Sequence, residues 1–262
     1  MNLRLPFANV GKTTIKQAAE APLEDLIEQS LHYANRLLKL MTEEDVHLLR
    51  PHLEPVMLET REVLEAAHEP IRRVYFPEDG LVSVVATLPR GRDMEVGIIG
   101  RDGMTGTAFV QHDDRSPHTT IVQAPGAALV MEPAALRDAM DRSPTLTALL
   151  HRYARALTMQ IASTALANGR SKLEERLARW LVMVQDRLDT DRFAITHEFL
   201  SVMLGVRRPG VTVAMHILEG KGLIRSVRGA VQIKDRDGLI ELADGAYGMA
   251  EGEYRRLLGI RS

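Results

Sequence analysis

The chain has no cysteine, so it forms no disulfide, offers no thiolate nucleophile and holds no cysteine-ligated iron–sulfur cluster. Long hydrophobic runs are missing too. No segment approaches the ~20 apolar residues of a membrane-spanning helix, and the first thirty residues carry no uninterrupted apolar stretch. A cytoplasmic protein with no membrane partner is the expectation. There is no Ser/His/Asp arrangement, and none of the nine histidines pairs with another at i, i+4 spacing, so neither catalytic nor metal residues are expected. Val10-Gly11-Lys12-Thr13-Thr14 resembles the end of a phosphate-binding loop, but Pro6 stands where its first glycine belongs and no apolar strand precedes it. No internal repeat or low-complexity stretch is present. With 262 residues, 45% apolar and 26% charged, the chain has material for one or two hydrophobic cores.

What is present is concentrated near the C-terminus. Thr196 is placed to cap a helix whose apolar face is Phe199, Leu200, Met203 and Leu204. Gly205 supplies a helix stop. Val211, Ala214, Met215 and Leu218 then recur at helical spacing and end before Gly220 and Gly222. Leu223-Ile224, the turn Arg228-Gly229, and Val231 and Ile233 complete a strand–turn–strand pattern. Two helices around a glycine turn followed by a hairpin form a winged helix-turn-helix, whose second helix suits a DNA major groove. The whole-chain charge is −2. Between Ile195 and Lys234, however, Arg207, Arg208, Lys221, Arg225, Arg228 and Lys234 face only Glu198 and Glu219, a local excess of +4. A local basic footprint is what phosphate contacts require.

The rest of the chain divides by pattern. Residues 1–34 are an extension, with a helix expected over about 21–40. Thr42 and Asp45 form a capping-box start, and Val46, Leu49 and Leu53 continue that helix. Short apolar runs at 56–58, 74–76, 81–88, 94–99, 119–123 and 127–131, broken by Pro/Gly turns, predict a β-sandwich, jelly roll or barrel. Leu146, Leu150, Tyr153, Leu157 and Ile161 trace a narrow seam on a long helix, suited to helix pairing or to packing on its own domain. Asn168-Gly169 ends that helix, and Ser171 with Glu174 reads as the capping box of the next. The expected organisation is α+β: an extension (1–34), a β domain (35–143), a long helix (144–169), a winged helix-turn-helix (170–244) and a tail (245–262).

This order resembles the cyclic-AMP receptor/FNR (Crp/Fnr) family of bacterial transcription regulators over about residues 35–243. The local marks are Ile195-Thr196, Leu204-Gly205-Val206, Arg207-Arg208, Val211, Leu218-Glu219 and Gly222-Leu223-Ile224. In the β domain they are Val74-Tyr75-Phe76-Pro77, Gly80, Val96-Gly97-Ile98-Ile99-Gly100 and Gly103. The resemblance implies a cyclic-nucleotide-binding-like jelly roll, a dimerisation helix using the 146–161 seam, and a homodimer on a palindromic double-stranded operator. Activation would add contacts with RNA polymerase, which no motif here marks.

The expected DNA contacts are Thr196, Arg207, Arg208, Gly210, Thr212, Lys221 and Arg228. Arg208 matches the family's guanine-reading arginine, whose guanidinium fork suits the O6/N7 pair. Pro209 and Val213 replace a glutamate and an arginine that read bases in relatives, so no relative's operator transfers. The expected effector pocket is Gly106, Thr107, Arg115, His118 and Thr119. Its matching stretch lacks the ribose-binding glutamate and has His118 for the phosphate-neutralising arginine, so cyclic AMP is not the expected ligand and the effector stays open. One alternative also stays open: a small-molecule sensor whose helix-turn-helix docks a protein rather than DNA.

Overall fold

A computed structural model describes residues 33–88, 92–227 and 229–260. The 10–14 segment, most of the helix expected over 21–40, and Arg228 lie outside the described residues. The described residues open with helix α1 (Arg36–Lys39) and helix α2 (Glu43–Leu49). Thr42 and Asp45 form the predicted capping box of α2, satisfying orphan donors at its start.

Each of the six apolar runs is a strand, and a short seventh strand joins them. β1 (Glu54–Leu58), β7 (Gly126–Met131) and β3 (Val74–Pro77) make one antiparallel sheet. β2 (Val63–Glu65), β6 (Thr119–Ala124), β4 (Leu81–Leu88) and β5 (Arg92–Ile99) make the other. Leu58, Val82, Val84, Val122 and Val130 pack in the core of this domain. A one-turn helix, α3 (Thr107–Val110), and α4 (Pro133–Arg142) lead into α5 (Pro144–Arg170), 27 residues long. Helix α5 passes the predicted Asn168-Gly169 stop by a residue. The next helix, α6 (Leu173–Leu188), opens one residue later than predicted: Lys172 is its N-cap, and Glu175, not Glu174, accepts the Lys172 N–H at 2.8 Å.

The 146–161 seam is buried within its own chain, not left for a partner. Leu146 and Leu150 are fully buried, Tyr153 and Leu157 nearly so, and Ile161 packs against the β-domain core. Helix pairing and packing on a neighbouring domain produce the same periodicity, and here the second accounts for it. Gly103 is part of the reason: a Cβ there would lie 1.9 Å from the Tyr153 hydroxyl, so only glycine lets that ring approach its carbonyl partner, Met104, at 3.0 Å.

The C-terminal domain contains α6, β8 (Arg192–Ala194), α7 (His197–Met203), α8 (Arg208–Gly220), β9 (Ile224–Val227), β10 (Ala230–Ile233) and α9 (Arg236–Leu242). Its sheet has the order β8-β10-β9, one strand more than the predicted hairpin. A last helix, α10 (Met249–Leu258), packs on α5. The β domain and the C-terminal domain share core: Leu81 and Ile98 belong to the cluster that contains Leu181, Val184, Leu204 and Leu218.

One polar contact crosses that shared core. Glu95 of β5 is buried, accepting from Ser83 Oγ at 2.5 Å and from the indole Nε1–H of Trp180 on α6 at 2.7 Å. Burial pushes its carboxyl from the usual 4.5 to about 7, against the opposing pull of those two hydrogen bonds and of Arg187 and Arg179. A folded pKa above the unfolded one means the native state holds the proton more tightly. This group's contribution to stability is therefore full below about 4.5 and falls as pH rises toward about 7. Thermal melts from pH 5 to 8 are expected to show Glu95→Gln gaining on the wild type as pH rises. Parallel melting curves for the two proteins would contradict this.

Candidate nucleic-acid interface and sensor pocket

The helix-turn-helix is built by a cap, a turn and an apolar interior. Thr196 Oγ1 accepts the Phe199 N–H at 3.1 Å and starts α7. Gly205 then takes φ +62°, a conformation that costs a residue with a Cβ energy, and reverses the chain into α8. Val211, Ala214, Met215 and Leu218 face inward and are buried, as their spacing predicts. Arg176 of α6 donates to the Leu204 carbonyl and fixes the turn from below. The wing is tied to α8 where Glu219 Oε1 accepts the Ser226 N–H at 2.8 Å.

What faces outward is a single stripe on α8: Arg208 and Pro209 in its first turn, then Val213 at 58% exposed, His216 and Gly220. Arg207, the N-cap, and Lys221, the C-cap, are exposed at either end. Three predicted contacts have other work. Thr196 spends its hydroxyl on the cap. Thr212 Oγ1 donates to the Arg208 carbonyl at 3.3 Å and lies 3.0 Å from His197 Nδ1, linking α7 to α8. At Gly210, which is half-buried, a Cβ would meet Leu173 Cδ2 at 3.2 Å, so the absent side chain gives room to α6. Arg228 lies outside the described residues. His216 was missed, although counting two helical steps of four from Arg208 reaches it.

The β domain treats its predicted pocket residues unevenly. Gly106 caps α3, and its N–H donates at 2.5 Å to Glu65 Oε1, while Thr120 Oγ1 donates at 3.0 Å to Glu65 Oε2. Glu65 is buried, which raises its carboxyl pKa above the ordinary value despite those bonds and one from Thr105. Thr120, not Thr119, points inward because side chains alternate along β6, where Thr119 is only half-buried. Arg115 is exposed, pairing with Asp114 at 3.4 Å and donating to the His68 carbonyl at 3.2 Å. His118 is half-buried, and burial together with His68 lowers its pKa. The five expected residues therefore do not converge. The inward donors that a buried anion would use, Gly106 N–H and Thr120 Oγ1, are taken by Glu65. Nothing in the sequence pointed to Glu65, because β2 has only three residues. Glu65→Ala should lower stability by about 1–3 kcal/mol by stranding its buried donors. An unchanged urea midpoint would show those bonds carry no weight.

A β-sandwich joined through a long helix to a winged helix-turn-helix is the layout of a DNA-binding regulator with a sensor-type domain. Two family models match in the same order: the cyclic nucleotide-binding domain over residues 55–143 and the Crp-like helix-turn-helix domain over 175–242. The chain belongs to the Crp/Fnr family of transcription regulators. Among solved structures it is similar in fold to FixK2 from Bradyrhizobium japonicum, with 18% identity and TM-score 0.64, covering 72% of this chain and 96% of that one. TTHB099, a CRP-family transcriptional regulator from Thermus thermophilus, aligns at 20% identity and TM-score 0.61, covering 74% and 98%. The c-di-GMP-responsive regulator CLP of Xanthomonas campestris aligns at 14% identity and TM-score 0.60, covering 73% and 99%. A search of curated protein sequences finds no match. Among the described residues no helix is long and apolar enough to cross a membrane, and no group of three or more His, Cys, Asp or Glu could hold a metal.

Proposed function

We propose that this regulator reads DNA as a homodimer through the outer stripe of α8, and that its β domain is not a cyclic-nucleotide receptor. The observation that carries the DNA reading is the stripe itself. Arg208 stands exposed in the first turn of α8, the part of a recognition helix that meets base edges. Its guanidinium suits a guanine, Val213 suits a thymine methyl, and His216 extends the contact toward the helix end. Arg207 and Lys221 flank the stripe as phosphate contacts. The departures at Pro209 and Val213 make the operator this chain's own.

Against a cyclic nucleotide stands Glu65. A cyclic phosphate placed at Gly106 and Thr120 would displace a carboxylate from its two donors or lie beside it. Among the described residues no arginine pairs with Glu65 to offset that repulsion. For the dimer, the buried seam is replaced by the opposite face of α5. Thr158, Ala162 and Leu166 recur there every four residues, with Leu166 54% exposed. Small side chains around one leucine let a second α5 approach closely.

Two experiments test these points. In parallel selections from a random duplex pool, the wild-type chain should enrich half-sites one helical turn apart, and Arg208→Ala should lose preference at one G·C pair per half-site, about tenfold or more. No enrichment by the wild type would favour a protein-docking role for the helix-turn-helix, and equal enrichment by both proteins would take the base reading away from Arg208. Separately, Leu166→Glu should sediment as a monomer where the wild type is a dimer. A variant that stays dimeric, or a monomeric wild type, contradicts the proposed face.

A further inference from the structure

An unassigned cleft of about 450 Å³ lies where the β domain, α5, α6 and α10 meet. That size lies within the range of small-molecule sites. We propose that this cleft is a binding site for a small organic oxyanion, a carboxylate or phosphate ester, carrying a flat apolar body.

The charge around the cleft supports an anion. Four arginines line it: Arg36, Arg187, Arg236 and Arg255. Its three acidic residues are already engaged. Asp102 pairs with Arg187 at 2.8 Å, Asp186 with Arg236 at 2.6 Å, and Glu251 accepts the Gly248 N–H at 2.7 Å. Among the described residues, Arg36 and Arg255 form no salt bridge. Two guanidinium groups in the lining, each with no salt bridge, are the donor type that holds an oxyanion.

The remaining lining is apolar and aromatic apart from Gln160, whose amide is spent on the Ile98 backbone N–H and carbonyl. Ile98, Ala156, Leu157 and Ala250 are aliphatic, and Tyr153 and Tyr254 present rings. The hydroxyls of both tyrosines are already committed, Tyr153 to the Met104 carbonyl and Tyr254 to the Asp102 carbonyl at 2.6 Å. The rings therefore offer faces more than hydrogen bonds, which favours a flat body.

Helix α10 carries Ala250, Tyr254 and Arg255 and lies beyond the residues matched by either family model, so this wall is not part of the shared family pattern. The walls come from both domains. A ligand there touches the β domain and α6 together, and biases their arrangement to the extent that it prefers one of them. That consequence rests on the regulatory reading above; the binding does not.

The test is calorimetric titration of the full-length chain with 2-naphthoate, 2-naphthyl phosphate and the neutral 2-naphthylmethanol. One site per chain is expected, with at least one anion about tenfold tighter than the alcohol, the ratio set by a charge-assisted contact. Whichever anion binds tighter identifies the preferred headgroup. Arg36→Gln/Arg255→Gln should remove that advantage while keeping the wild-type melting temperature, and Arg142→Gln, on the exposed face of α4, should change nothing. No binding at millimolar ligand, an anion no tighter than the alcohol, or anion binding that survives the double substitution would overturn the proposal. The readout contains no DNA, so its failure is separate from failure of the regulatory reading.

Discussion

Glu95 accepts hydrogen bonds from Ser83 within its own sheet and from Trp180 in the neighbouring domain, in a place where water does not reach. A buried carboxylate without donors costs several kcal/mol, so the site is tolerable only while both bonds are made. That requirement positions α6 on β5, and everything beyond α6 follows. Once α6 is seated, Leu81 and Ile98 of the β domain complete the core of the helix-turn-helix domain. Arg187 can then reach Asp102 because Gly100 leaves room for its side chain, where a Cβ would approach to 2.7 Å. The orientation of the recognition helix relative to the β domain is thus held by one polar anchor, a shared apolar surface and one buried ion pair.

This arrangement changes where regulation can act. The interior of the β domain satisfies its own donors with Glu65. The junction between domains retains space and unpaired positive charge. A ligand at the junction would act directly on the contacts that set domain orientation. The pH dependence of Glu95 acts on the same contacts, since deprotonation places a charge at the point where α6 meets β5.

Much of the fold was legible in the sequence because periodicity reports burial. The apolar sets of α7 and α8, the glycine turn and the six longer strands all follow from it. Periodicity does not report what a buried face packs against, which is why the 146–161 seam fitted helix pairing and packing on its own domain alike, and it is buried within the chain. Strands β2 and β8 are three residues each, too short for alternation to register. The α6 start moved by one residue because Ser171 and Lys172 both precede a glutamate at the right spacing. Helix α10, interrupted by Gly252 and dotted with charge, has too thin an apolar face to stand out. Glu65 and Glu95 matter through partners 12 to 85 residues away, all in other elements: Ser83, Gly106, Thr120 and Trp180. No local pattern encodes such pairs.

Trp180 is the single tryptophan of the chain, so its indole N–H gives one unambiguous nitrogen-correlated NMR signal. Its exchange with solvent in the full-length protein tests most directly whether the DNA-binding domain is anchored to the β domain through Glu95. The account predicts a strongly protected indole N–H that becomes exchangeable in Glu95→Ala. Exchange in the wild type at the rate of a free indole would contradict it.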